Sequence, residues 1–410
     1  MKTFQELYKQ IVLDTINGTS YEMDEAEYNQ MDCLLNPGKH PVVWRIGNCD
    51  CPPEENGKCA GNCPFDAFTK NADGNMDIDP DKCVGCNICV DNCKAEKLTG
   101  SKDIIPVLNA LKANHGLSYT LIAPAFLGQF GKEVTPGQLR TALKQIGFDG
   151  MVEVAVFADI LTLKEALEFD KNILTETDYQ LTSCCCPIWI AMIRKVYHDL
   201  MPHVPGSVSP MIASGRTVKQ LHPDALTVFI GPCVAKKAEA KEADIAGAVD
   251  YVLTFQEIKD IFEALDIDPA KLEESDRDHS SRAGRIYARS NGVSEAVQST
   301  VKRLNPDRSI TVRTKQADGV PACKEMINSL LEGKTDANFF EGMGCKGGCV
   351  GGPKSIIDRN EATAYVNEYA DSATFPTPID NPYVIELLHR LGFDTIESLL
   401  EDSDIFTRHF

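Results

Sequence analysis

Ala225-Leu-Thr-Val-Phe-Ile-Gly-Pro-Cys-Val-Ala-Lys-Lys237 is an apolar, β-rich run that stops at a Gly-Pro turn carrying a cysteine. Ala225 to Ile230 reads as a buried strand, and the turn as its carboxyl end. Upstream, Thr135-Pro-Gly-Gln-Leu-Arg-Thr-Ala-Leu-Lys-Gln-Ile-Gly147 has a capping threonine, a proline at the first helical position and a closing glycine, the marks of a helix. Val152-Glu-Val-Ala-Val-Phe157 is expected as a strand and Thr162 to Phe169 as the next helix. Ala337-Asn-Phe-Phe340 is a further candidate strand, and Cys345 follows it. This alternation predicts an α/β domain over residues 101–410 with mixed or mainly parallel sheets. Ligands in such sheets sit beyond the carboxyl ends of strands, and Cys233 falls at one. Beyond residue 360, Tyr365 to Phe410 is expected as short packing helices.

Residues 41–100 are a different unit, short, rich in cysteine and poor in large aliphatics. Too little apolar mass is present to fold it by burial alone, so metal is expected to hold it. Cys83-x2-Cys86-x2-Cys89-x3-Cys93 has the bacterial ferredoxin spacing, in which three cysteines bind one cubane and the fourth reaches another. Cys63, followed by Pro64, is the matching fourth ligand. One 4Fe–4S cluster is thus assigned to Cys83, Cys86, Cys89 and Cys63, and a second to Cys49, Cys51, Cys59 and Cys93. The first half departs from the pattern in its spacings, and Cys93 is followed by Lys94 rather than proline. A pair of zinc sites is the competing reading. The unit is expected as a small α+β ferredoxin-like domain. Residues 1–40, with Phe4, Leu7, Tyr8 and Ile11 at helical spacing, are expected as a helical packing arm carrying one lone thiol, Cys33.

A chain of 410 residues exceeds what one core usually supports. Its 41 basic and 60 acidic residues leave a net charge of −19, which argues against nucleic acid and anionic membranes as partners. No apolar run is long enough to span a bilayer, and the N-terminus lacks a secretory pattern, so a cytoplasmic protein is expected. Sixteen cysteines there point to metal or redox chemistry rather than to disulfides.

Three further loops carry cysteine: Thr182-Ser-Cys-Cys-Cys-Pro-Ile-Trp189, Gly231-Pro-Cys-Val-Ala-Lys-Lys237 and Gly342-Met-Gly-Cys-Lys-Gly-Gly-Cys-Val-Gly-Gly-Pro353. Soft thiolates on tight turns suit an iron–sulfur centre, and the glycines would let backbone approach the metal. Here the chain resembles the iron-only (FeFe) hydrogenases. That family has a Thr-Ser-Cys-Cys-Pro-x-Trp loop, a Pro-Cys-x-x-Lys-Lys-x-Glu loop and a glycine-rich Cys-x3-Cys loop, in this order. The resemblance covers roughly residues 41–360, and the variant loops look like a divergent, group B-like branch.

The resemblance implies an H-cluster: a 4Fe–4S cubane on Cys186, Cys233, Cys345 and Cys349, with Cys349 bridging to a diiron subsite that carries carbon monoxide, cyanide and an azadithiolate. It implies that Lys236 donates to a cyanide, that Ala123, Pro124 and Ala125 line the other, and that Met343 lies beside the diiron site. Cys185 matches the thiol that exchanges protons with the azadithiolate, and its burial should keep it protonated. Glu165, Ser209 and Glu168 match a proton relay, with Glu239 near the site. On pattern alone, Glu165 and Glu168 read as a solvated helix face, and the family context reverses that reading. Two features depart from the family: the extra Cys184, and Gly231 where the family has methionine, which would remove bulk beside the bridging ligand. Cys323 is read as a core thiol.

The function implied is reversible interconversion of H2 with protons and electrons. Its partners would be a ferredoxin or similar electron carrier and the maturation proteins that build the diiron site. A hydrogen-sensing protein of low turnover, or an iron–sulfur assembly or carrier protein without a diiron site, are the alternatives.

Overall fold

The computed structural model describes residues 2–51, 57–182, 185–275 and 279–410. Thr3 and Glu6 form a capping box that opens the helix Phe4–Asn17, and Phe4, Leu7, Tyr8 and Ile11 face inward from it. This helix and the next, Glu25–Leu35, pack on the helix Ile104–Ala113. The first forty residues are therefore an arm laid on the main apolar core, with Cys33 buried in it.

The cysteine-rich segment holds four short strands, β1 (Val43–Arg45), β2 (Phe68–Lys70), β3 (Met76–Ile78) and β4 (Leu98–Gly100), paired antiparallel as β1–β4 and β2–β3. Two one-turn helices, Lys58–Gly61 and Ile88–Asp91, carry Cys59 and Cys89. Among the described residues, its own small apolar cluster is Val43, Cys89 and Leu98, with Cys59, Cys83 and Cys93 packed against it, while Phe65 and Val84 join a core cluster of the larger domain. So few carbons cannot hold such a unit alone; the thiols sit where a core would be.

Seven strands follow: β5 (Ser118–Ile122), β6 (Gly150–Glu153), β7 (Gln180–Leu181), β8 (Leu226–Gly231), β9 (Tyr251–Thr254), β10 (Thr314–Asp318) and β11 (Phe339–Met343). They form two sheets, in the orders β6-β5-β8-β9 and β10-β11-β7, and every pairing is parallel. The helix Pro136–Ile146 lies where its caps place it, between Thr135 and Gly147.

Two expectations need correction. Val152 to Phe157 is not one strand: β6 stops at Glu153, its last partner across from Ile122, and a helix of 18 residues, Ala155–Asn172, begins almost at once. That helix packs against the helices Pro210–Leu221, Arg282–Arg285 and Gly292–Leu304. Covered on so many sides, it lacks the single apolar stripe by which a surface helix is recognised. Strand β11 begins at Phe339 rather than Ala337, because the Asn338 amide is used to tie two loops: it accepts from the Arg313 N–H (2.8 Å) and donates to the Thr311 carbonyl (3.0 Å).

Candidate metal centre

The three cysteine loops all leave the carboxyl ends of parallel strands. Cys185 and Cys186 follow β7, Cys233 follows β8, and Cys345 and Cys349 follow β11. The ends of β5 and β6 contribute Ala123 and Val154 to the same place. There the chain encloses a cavity walled by Cys185, Cys186, Cys233, Cys349, Lys236 and Met343, with Ala123, Pro124, Phe229 and Tyr287. Ala125, expected beside them, is fully buried and outside the wall. Cys184 lies outside the described residues.

Cys345 faces away from this cavity toward the cysteine-rich unit. Cys233, Cys186, Cys349 and Cys86 are all close enough to perturb it, and with burial they hold its thiol well above the usual range. The Cys349 thiol is pushed up to about 12, first by burial and then by Cys186 and Cys233. Cys233 is pushed up to about 11 by burial and Cys186. Four thiols this close, in so little water, cannot all ionise unless a cationic core replaces their protons.

Within the cysteine-rich unit the thiols lie close together. Cys59 is perturbed first by burial and then by Cys93, Cys49 and Cys51. Cys86 is pushed up to about 12 by burial, with Cys83 and Cys63 adding to it, and Cys89 is raised by burial and then by Cys86, Cys83, Cys63 and Cys59. Among the described residues no three Cys, His, Asp or Glu side chains converge on one ion-sized point.

Glycine decides how these loops meet. Gly85, between Cys83 and Cys86, has φ +71°, and a Cβ there would lie 3.1 Å from the Cα of Ala235. The loop of one expected cluster can therefore rest on the start of the helix Ala235–Glu239, two residues past Cys233. In the Gly342–Pro353 loop, a Cβ at Gly342 would fall 2.0 Å from the Trp189 ring. The protein itself takes the room left there, rather than a metal. Gly231 is a similar case. A Cβ would come within 2.7 Å of Phe229, whose ring lines the cavity. The bulk expected to be missing beside the bridging ligand is supplied by Phe229.

Burial accounts for the polar groups. Cys185 is partly buried in the cavity wall, and burial, Cys186 and Glu165 hold its thiol well above the usual range. Glu165 is 1% exposed, so the solvated-face reading fails for it. Glu168 is nearly covered too; its carboxylate accepts from Lys164 (2.9 Å), which also donates to the Leu399 carbonyl. The Ser209 hydroxyl caps the helix Pro210–Leu221, accepting from the Ile212 N–H (3.4 Å). Glu165 is thus beside Cys185, while Ser209 and Glu168 are each already engaged. Lys236 donates to Glu239 at 2.6 Å. Burial pulls the Lys236 pKa down, but Glu239 more than restores it, so the lysine is a cation in the cavity wall.

Two groups here had no signal in the sequence. Tyr287 lines the cavity and its hydroxyl lies 2.9 Å from that of Thr162. Glu341, two residues before Met343, is buried, and burial raises its carboxyl to about 7. Neither residue type in its local sequence marks a site; only the packing brings them there.

Cys33 and Cys323 stand apart, each pushed up to about 12 mainly by burial. Neither is expected to react with iodoacetamide in the native protein at pH 8, and both are expected to react once it is unfolded. Mass spectrometry of the labelled peptides reads this directly, and native labelling of either would show it is not a closed core thiol.

Residues 117–353 match the family described as the iron-only hydrogenase large subunit, C-terminal domain. The chain belongs to that family. It is 28% identical over 294 residues to iron hydrogenase 1 of Clostridium pasteurianum, covering 60% of this chain and 51% of that protein. It is also 23% identical over 329 residues to the cytosolic Fe-S cluster assembly factor narfl of Danio rerio, covering 66% of this chain and 80% of that protein. The chain spans 51% and 64% of the length of two of the curated hydrogenases it matches. Among solved structures, the apo FeFe-hydrogenase HydA1 from Chlamydomonas reinhardtii, in a cysteine-to-histidine variant, has the same fold (TM-score 0.60, 22% identity, 74% of this chain and 98% of that one).

The residues present fit the group the family implies. Cys186, Cys233 and Cys349 line one cavity with the buried cation of Lys236 and the thiol of Cys185, and Cys345 lies close enough for the first three to perturb it. No helix of the described residues is long and apolar enough to cross a membrane.

Proposed function

We propose that this chain is an iron-only hydrogenase that interconverts H2 with protons and electrons. One observation carries the reading: three cysteine loops, far apart in sequence, surround one cavity whose wall also holds a buried lysine and a further thiol, Cys185. When bound, an H-cluster supplies the iron centre at which the H–H bond is made or broken. Cys186, Cys233, Cys345 and Cys349 would hold its cubane. Lys236 would bind an anionic ligand of the diiron part through a charge-assisted hydrogen bond, strong in a site this dry. Met343, Ala123 and Pro124 would exclude water around it. Cys185 would hold the proton nearest the iron, and Glu165 the next, with Ser209 and Glu168 continuing outward. Electrons would pass between the two clusters of residues 41–100 and the cubane by way of Cys86 and Cys345, and on to a ferredoxin-type carrier. Maturation proteins would deliver the diiron part, and the protein would work in the cytoplasm.

The likeness to narfl favours a second reading, an iron–sulfur assembly protein with cubanes only. A carrier of cubanes has no use for a buried cation and a buried proton-bearing thiol in one wall, so the hydrogenase reading accounts for more of the site. Infrared spectra after maturation separate the two. Carbonyl and cyanide stretches are expected, in a window where protein and water absorb little. Their absence from verified matured protein would leave the assembly reading. A hydrogen-evolution assay with a reduced dye then separates an enzyme from a slow sensor.

A further inference from the structure

A groove of about 500 Å³ runs between the cysteine-rich unit and the catalytic core. Val42 and Cys83 form one wall, Ala191 and Arg194 a second, and Ala238 and Glu239 a third. The proton path described above lies elsewhere and does not use it. Glu239 is 2% exposed. Its Oε2 accepts from Lys236 at 2.6 Å, and its Oε1 has no partner among the described residues. Lys236 lines the cofactor cavity on the far side. A single ion pair therefore separates groove from cavity, with the carboxylate in one wall and the ammonium in the other.

Water is the ligand that suits this groove. A buried carboxylate oxygen left without a donor costs about 1–3 kcal/mol, and the groove has room for several waters. A larger anion would need a free cation, and the cations here are engaged. Arg194 donates to Glu242 (2.6 Å), Lys241 to the Pro37 carbonyl (3.1 Å), Lys195 to the Asp81 carbonyl (2.8 Å), and His40 pairs with Asp32 (2.7 Å).

We propose that the groove is a solvent inlet to the cofactor cavity, and that Glu239 is the positioning residue that joins its water to Lys236. The inlet is separate from the Cys185–Glu165 side and rests on the hydrogenase reading. An ammonium has three protons. One is given to Glu239, which leaves two for the cavity side, and water at the free Glu239 oxygen gives the buried ammonium its route for exchange with solvent.

The test uses the full, matured chain and the cyanide stretches. On transfer to D2O, deuteration of Lys236 shifts the band of the cyanide it bonds, and the rate of that shift is read. Ala191→Trp fills the groove, and Ala238→Leu narrows it from another wall should the first variant fail to take up clusters. With no water at the ion pair, exchange must await local opening, so the shift is expected to slow at least about tenfold with band positions kept. Glu239→Gln is expected to displace the cyanide band itself, and Glu239→Asp to restore part of that displacement. Exchange as fast as in the unmodified chain in the groove variants overturns the inlet. Unmoved bands in Glu239→Gln overturn the role of Glu239. A complete lack of cyanide and carbonyl bands in the unmodified matured chain is a different result, and counts against the hydrogenase reading.

Discussion

Cys185→Ala is expected to lower hydrogen turnover by about 10²–10⁴-fold, the usual range for removing a positioned acid–base group. The infrared bands of the loaded protein should remain, because Cys185 is not among the thiols expected to hold iron. The reason is environmental. The thiol lies next to Cys186 and Glu165, and burial first, then these neighbours, hold it well above its usual range. In the proposed function it carries a proton and is not one of the four cubane ligands. Alanine removes the proton and leaves a small apolar gap that solvent does not enter readily. Cys185→Ser keeps a hydroxyl at the same place but with far weaker acidity, so it should stay slow. Turnover at the original rate in Cys185→Ala would move the role to Cys184 or to water. Loss of the infrared bands would instead make Cys185 part of the cofactor's support.

Lys237→Met should destabilise the fold by about 3–5 kcal/mol, the cost of leaving buried charges without their partner. Lys237 is fully buried; its ammonium stands 3.3 Å from Asp103 and 3.1 Å from Glu257 and donates to the Val252 carbonyl. Burial alone would raise the Glu257 carboxyl, but Lys237 and then Lys102 hold it below its ordinary value. With methionine at 237, two carboxylates in the core lose their main cation. The denaturation midpoint of cofactor-free protein measures this without any activity. A change within about 0.5 kcal/mol, as for an ordinary surface site, would show that the network does not hold the core. Asp103 immediately precedes the helix Ile104–Ala113, so the lysine also ties the end of the cysteine-rich unit to the sheet.

Much of the candidate site was legible in the residues. Cys83-x2-Cys86-x2-Cys89-x3-Cys93 could be read because a cluster clip is built from near neighbours in the chain. Thr135 and Gly147 bounded their helix because caps are local chemistry. The reading failed at Val154 to Phe157, where a helix is covered on several sides and its apolar residues keep no helical stripe. Helix pattern alone gave Glu165 a solvated face, which its burial overturns, since a glutamate's exposure depends on what packs over it.

The adjacent lysines mark the boundary most clearly. From residues alone, the chain determined its class: its cysteine loops, their order and the turn residues around them are covalent spacings that folding does not alter. The resemblance gave Lys236 its place in the cavity wall, but only the tertiary structure decided that Lys237, one residue on, is buried between two carboxylates. The same holds for Phe229 filling the room at Gly231, and for Tyr287 and Glu341 joining the site. Neighbouring residues on one short helix point in different directions, and what each meets is set by strands and loops remote in sequence. Burial and charge pairing belong to those distant neighbours, so no local pattern encodes them.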